Sequence, residues 1–207
     1  MSTLVVADRR PRAAWLWTGA VSVASFLLGM LTFSAQCFLP DAWRSFANSA
    51  SGWTLLAALL VFFSAASTRL AALLGALSFV LLVLGYTAGA VLQGLSYSPV
   101  FFGLVGLVVG PFVGVAAAWL RHRGVHGALG TALLAGIFMG EALYGLTVVA
   151  DTTRPEYWVA IGAVGIILLV VLVGTRVRGW VPVTLAIVGT AVVAAAFVAV
   201  YTALGGG

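Results

Sequence analysis

The chain has 207 residues, of which 63% are hydrophobic and 7% charged. That composition belongs to an integral membrane protein and leaves no room for a sizeable soluble domain, so a single membrane domain, 1–207, is expected. The net charge of +5 comes from arginines scattered over short loops, with no lysine; this excludes a nucleic-acid-binding face and a retinal Schiff base.

In chain order, residues 1–12 form a short arm carrying Arg9, Arg10 and Arg12. It precedes a full-length apolar segment rather than a short one ending at a small-residue cleavage site, so no cleaved signal peptide is expected. The first span covers 13–35. Residues 36–52 are a polar connection with Gln36, Asp41, Arg44 and Asn48, interleaved with Trp43 and Phe46; it lies on the membrane surface or dips into it. A short second span covers 53–68, and Arg69 opens the third, 70–93. After the turn GLSYSP comes the fourth, 100–120, closed by RHRGVHG. The fifth is 128–149. ADTTRPEY leads to the sixth, 158–175, and RVRGW to the seventh, 181–204. The fold class expected is an all-α bundle of seven transmembrane helices.

The arginines orient it. With a cytoplasmic N-terminus, Arg9, Arg10, Arg12, Arg69, Arg121, Arg123, Arg176 and Arg178 are inside, and only Arg44 and Arg154 are outside. Positive charge accumulates on the cytoplasmic side of membrane proteins, so the N-terminus is expected inside and the C-terminus outside. The expected location is the plasma membrane, multi-pass. Arginine in place of lysine, with much Ala, Gly and Val, suggests a GC-rich coding genome such as an actinobacterial one.

Small residues recur at four-residue spacing in the fourth span (Gly106, Gly110, Gly114) and the fifth (Gly136, Gly140). Such rows let helices approach closely and predict that these two spans touch. Pro111 is expected to bend the fourth, because it leaves the carbonyl of Leu107 without its usual partner.

Glu141 is the only acid placed deep in an apolar span. A carboxyl there costs roughly 2.5–3.5 kcal/mol on insertion scales. It shares a helical face with Phe138 and Tyr144. In the orientation above it lies in the outer half, about 12 Å of helix rise short of Val149. All five tyrosines fall toward that side, as do Gln36, Asp41, Asn48, Gln93 and Asp151. Tyr97, Tyr157 and Trp158 fit an interfacial belt equally well; Tyr86 and Tyr144 sit deeper. No arginine lies at the depth of Glu141. Two readings are open: a neutral acid held as a proton donor beside aromatic faces that stabilise cations, or an acceptor that hydrogen-bonds a neighbouring helix. A site lined by Glu141, Tyr144, Phe138, Tyr86, Trp53, Asn48, Gln36 and Gln93 is expected in the outer half.

Cys37 is the only cysteine, so neither an intrachain disulfide nor a cysteine metal site is possible. His122 and His126 lie four apart in a short loop with no carboxylate beside them, and read as loop residues rather than ligands. There is no Gly-rich phosphate loop. No metal and no cofactor is expected. No internal repeat is visible, which argues against an inverted-repeat transporter.

Seven short-looped spans in about 200 residues, a buried acid and an aromatic-rich pocket resemble the small integral-membrane terpene cyclases. The nearer comparison is the bacterial kind of the drimentine-type diketopiperazine–terpene pathways; the fungal meroterpenoid cyclases are more distant. The resemblance covers the chain as architecture and rests on no motif. It implies metal-independent, acid-initiated cyclisation of a prenyl chain. Glu141 would be the proton donor, and Asp41 or Asp151 a second acid. The partners would be a lipophilic, prenylated substrate and membrane lipid. The alternative is a small-solute transport component, similar to the substrate-binding subunit of an energy-coupling-factor transporter. Gly110–Gly114 (GPFVG) and Ala20 with Ala24 resemble that group's small-residue docking face, and Glu141 would be its substrate or proton site. The sequence leaves the oligomeric state open.

Overall fold

The computed structural model describes residues 9–205, with side chains from Trp15 onward. The first eight residues of the expected arm, and the side chains of Arg9, Arg10 and Arg12, lie outside the described residues. The described residues form eight α-helices and one 3-10 turn: α1 (Arg9–Phe38), α2 (Asp41–Arg44), the turn (Ser45–Asn48), α3 (Ala50–Phe63), α4 (Thr68–Leu92), α5 (Val100–Trp119), α6 (Gly124–Thr147), α7 (Pro155–Thr175) and α8 (Trp180–Gly205).

Six helices are long and apolar enough to cross a membrane: the Trp15–Phe38 part of α1, and α4 to α8. The chain is therefore a multi-pass membrane protein. The remaining expected span behaves differently. α3 has 14 residues, about 21 Å of rise against a hydrocarbon core of about 30 Å. It is joined to Asp41–Asn48 by a 63° bend. Counted with that segment it makes a seventh, broken crossing; counted alone it is a re-entrant helix.

The helix also stops before residue 68, where the second span was expected to end. Ser64 turns its hydroxyl onto the carbonyl of Val61 and accepts from the N–H of Ala66. Between them Ala65 takes a left-handed φ of 51°, a conformation that L-residues adopt at a cost of roughly 1–2 kcal/mol. Serine hydroxyls competing for backbone groups are a common way to end a helix. In the chain's remaining connection to α6, His126 belongs to the first turn of that helix, not to the loop.

Two groups of three helices result. α4 lies between α1 and α5; α6 lies between α7 and α8; α5 and α6 join the groups, and α3 sits against α1, α4, α5 and α6. Without water, helices associate through close backbone approach and interhelical hydrogen bonds. Ser25 and Ser78 share a buried 2.8 Å bond between α1 and α4. The glycine rows serve other neighbours than expected. A Cβ on Gly114 would strike the carbonyl of Ala71, and one on Gly110 the backbone of Ala76, both on α4. Gly136 and Gly140 face Val193, Ala194 and Phe197 on α8. α5 does meet α6, but through Gly130 set against Ala116 and Trp119. Pro111 lies within α5, which continues as one helix through it.

Gly114→Val should cost about 1–3 kcal/mol or more through overpacking and depress the melting temperature in detergent. Gly103→Val, at a glycine with open space around it, should leave it nearly unchanged.

Candidate functional site

The N-terminus of α3 is buried between spans, so its four leading N–H groups need partners other than water. All four have one. Ala50 donates to Glu141 Oε1 at 2.9 Å, and Ser51 donates to Glu141 Oε2. Gly52 donates to the hydroxyl of Ser49, the N-cap residue, at 3.0 Å, and Trp53 to the Ser49 carbonyl at 3.2 Å. Ser49 has the extended backbone of a cap, with φ −124° and ψ 151°. The Tyr157 hydroxyl of α7 then bridges Ser49 Oγ, 2.6 Å away, and Ser51 Oγ, 2.9 Å away. Glu141 is 3% exposed, and its neighbours on α6, Gly140 and Ala142, are both buried. Each of its oxygens accepts, the pattern of a carboxylate at the positive end of a helix dipole.

The other end of α3 is held by a cation. Arg121 donates from Nη1 to the carbonyl of Phe62 and from Nη2 to that of Ala66, each at 2.6 Å, with its Cζ 5.7 Å from the Phe62 ring centroid. Burial pulls its guanidinium below the ordinary arginine value. A short helix is thus clamped by a carboxylate from α6 and a guanidinium from the α5–α6 connection. The bend before it is tight: a side chain on Gly52 would meet the carbonyl of Phe46. Trp53 Nε1 donates back to the carbonyl of Ala47 at 3.2 Å.

Two clefts flank this clamp. The polar one, about 560 Å³, lies at the end of the bundle that carries the α6–α7 connection and is lined by Gln36, Asp41, Arg44, Asn48, Asp151 and Arg154, among others. The other, about 650 Å³, is mostly apolar and lies between α3, α6 and α7, with Arg123 and Arg176 among its lining residues. Glu141 lines neither. Among the described residues no three His, Cys, Asp or Glu side chains group as a metal site.

The pattern of one protein family matches residues 8–206. The chain belongs to DUF6518, a family of unknown function. No curated protein and no solved structure matches it.

In this DUF6518 chain the expected site residues are dispersed. Gln36 Nε2 donates to the Tyr86 hydroxyl at 2.7 Å. The Tyr86 ring meets Phe33, Trp53 and Tyr97 with centroids 5.1, 5.5 and 4.9 Å away. Burial, and then the neighbouring Tyr86, raises the Tyr97 phenol above its ordinary value. Gln93 is exposed and donates to Ser34 Oγ at 3.3 Å. Tyr144 meets Tyr201 at 5.6 Å. Phe138 lines the apolar cleft, whereas Asn48, Asp41 and Asp151 line the polar one. Asp41 is also paired with Arg44 at 2.6 Å. Ser49, Ser51, Tyr157 and Arg121 were not foreseen. Ser49 before an apolar run is a readable cap signal; the tyrosine and the arginine leave no local signal.

Glu141→Gln keeps the size but turns an amide NH₂ toward one of two N–H donors. The loss of a charge-assisted bond in a buried site should cost about 2–3 kcal/mol, read as a lower melting temperature. Tyr157→Phe should cost about 1 kcal/mol by the same measurement.

Proposed function

We propose that this is a plasma-membrane protein of seven spans, the broken pair included, with its N-terminus in the cytoplasm and its C-terminus outside, and that it binds a small polar solute in the outer cleft as a component of a transport system. The observation that carries this reading is the convergence of Gln36, Asp41, Arg44, Asn48, Asp151 and Arg154, from two separate stretches of chain, on the polar cleft, which lies outside in this orientation. Its volume of about 560 Å³ is within the usual range for small-molecule sites, about 300–1,000 Å³. Among the described residues Asp151 and Arg154 form no ion pair, while Asp41 and Arg44 pair with each other. Acceptors and donors of both charges on one wall suit a zwitterion, whose two charged groups each find a partner.

Acid-initiated cyclisation of a prenyl chain needs Glu141 beside its substrate with a proton to give. Its two oxygens instead accept backbone bonds, and it borders neither cleft. Solute binding is the reading that the geometry supports better. It draws nothing from the GPFVG stretch as a docking face, because Gly110 and Gly114 are taken up against α4.

Reporter fusions should place the α5–α6 loop inside and Gly207 outside; the same side for both would refute the span count, and the reverse placement would refute the orientation. A panel of zwitterionic, anionic and cationic solutes should contain members that raise the melting temperature of the purified protein. The rise should be lost in Asp151→Asn and Arg154→Gln while the unliganded melting temperature holds. A flat response across the panel would remove the proposal.

A further inference from the structure

The second cleft owes its existence to the same short helix. α3 presents Leu55, Leu59 and Phe62 along one face, and α7 presents Val164, Leu168 and Val171 opposite, with α6 behind. These positions are three or four apart on each helix, so each set forms one continuous stripe. Leu59, Phe63 and Val171 at the lips are 43, 66 and 48% exposed, so the cleft opens sideways, where a bundle in a bilayer meets acyl chains. From Arg123 to Phe138, both lining residues, α6 rises about 22 Å, so the groove runs deep along the bundle from one end.

That end is purely cationic. Arg123 and Arg176 line the mouth. Arg176 Nη1 donates to the carbonyl of Arg121 at 2.8 Å, which holds its guanidinium in place, and the Arg176 carbonyl accepts from the N–H of Gly124 at 3.3 Å, tying the two connections together. No acid stands near. Among the described residues Asp151 and Glu156 lie at the opposite ends of α6 and α7, Asp41 lies with Asp151 in the outer cleft, and Glu141 is committed to α3. Guanidinium groups that lack a carboxylate, above an apolar groove opening to lipid, match a phosphate head with hydrocarbon tails.

We infer that the cleft between α3, α6 and α7 is a binding site for an anionic phospholipid, its phosphate on Arg123 and Arg176 and an acyl chain along Leu59, Phe138 and Leu168. The assignment to the inner leaflet rests on the orientation proposed above; the site itself does not, and it is independent of solute binding in the outer cleft.

The test is native mass spectrometry of the full chain released from nanodiscs holding equal phosphatidylglycerol and phosphatidylcholine. One phosphatidylglycerol should be retained, preferentially over phosphatidylcholine. Arg123→Gln with Arg176→Gln should lower that retention about tenfold or more. Arg178→Gln, at the same end but not lining the cleft, should not. Val171→Trp, at an exposed lip, should block the lipid without changing the melting temperature. Inorganic phosphate at millimolar concentration is the arm that separates a lipid from a free ion. If phosphate alone displaces the retained phosphatidylglycerol, the site is an anion site and the inference fails. Equal retention of both lipids, or retention untouched by the arginine pair and by Val171→Trp, would also overturn it.

Discussion

A helix of 14 residues cannot cross a bilayer, and everything distinctive in this molecule follows from burying one in a bundle of longer helices. Hydrocarbon offers nothing to the free N–H and C=O groups at helix ends, so both ends of α3 must be satisfied by protein. Glu141 answers the first and Arg121 the second. Their signs match the dipole, negative at the N-terminus and positive at the C-terminus. Glu141, buried, and Arg121, part-buried in the α5–α6 connection, thereby serve one short element without touching one another, each compensated by its oriented peptide groups.

The clamp also accounts for where space remains. Because the bend at Ser49 sends Asp41–Asn48 off at 63°, that end of the bundle is covered by a polar elbow rather than by apolar helix. Gln36, Asn48 and Asp151 meet there. The flank of α3 that faces α7 stays uncovered as far as Phe63, level with the start of α6 and the end of α7. One shortened helix thus generates a polar recess at one end of the bundle and an apolar one at the other. Tyr157 stands between them on α7, with its hydroxyl on Ser49 and Ser51.

Long apolar runs made the five helices α4 to α8 readable within a few residues of their ends, since hydropathy alone dictates them. Glu141 was readable as exceptional because a carboxyl at that depth is costly. Its partners were not, because they are backbone N–H groups, which every residue but proline possesses and no sequence marks. An acid with no cation in reach therefore invited a chemical role when a helix end was the counter-charge. The glycine rows told that helices approach closely but not which ones. Gly110 could have faced α6 as well as α4, and only the three-dimensional arrangement decides. The end of α3 was missed because Ser64–Ser67 is short and neutral, and the turn there depends on hydroxyl geometry and a left-handed Ala65.

The contact between Ser51 and Glu141 spans 90 residues of sequence, which sets an order of events during synthesis. A chain emerging from its N-terminus delivers α3 to the membrane well before α6 exists. In that interval Ala50 and Ser51 have no carboxylate, and their N–H groups must be kept wet or shielded by the insertion machinery. The cap of α3 therefore waits on a later segment, although the packing of α4 against α1 and α5 involves none.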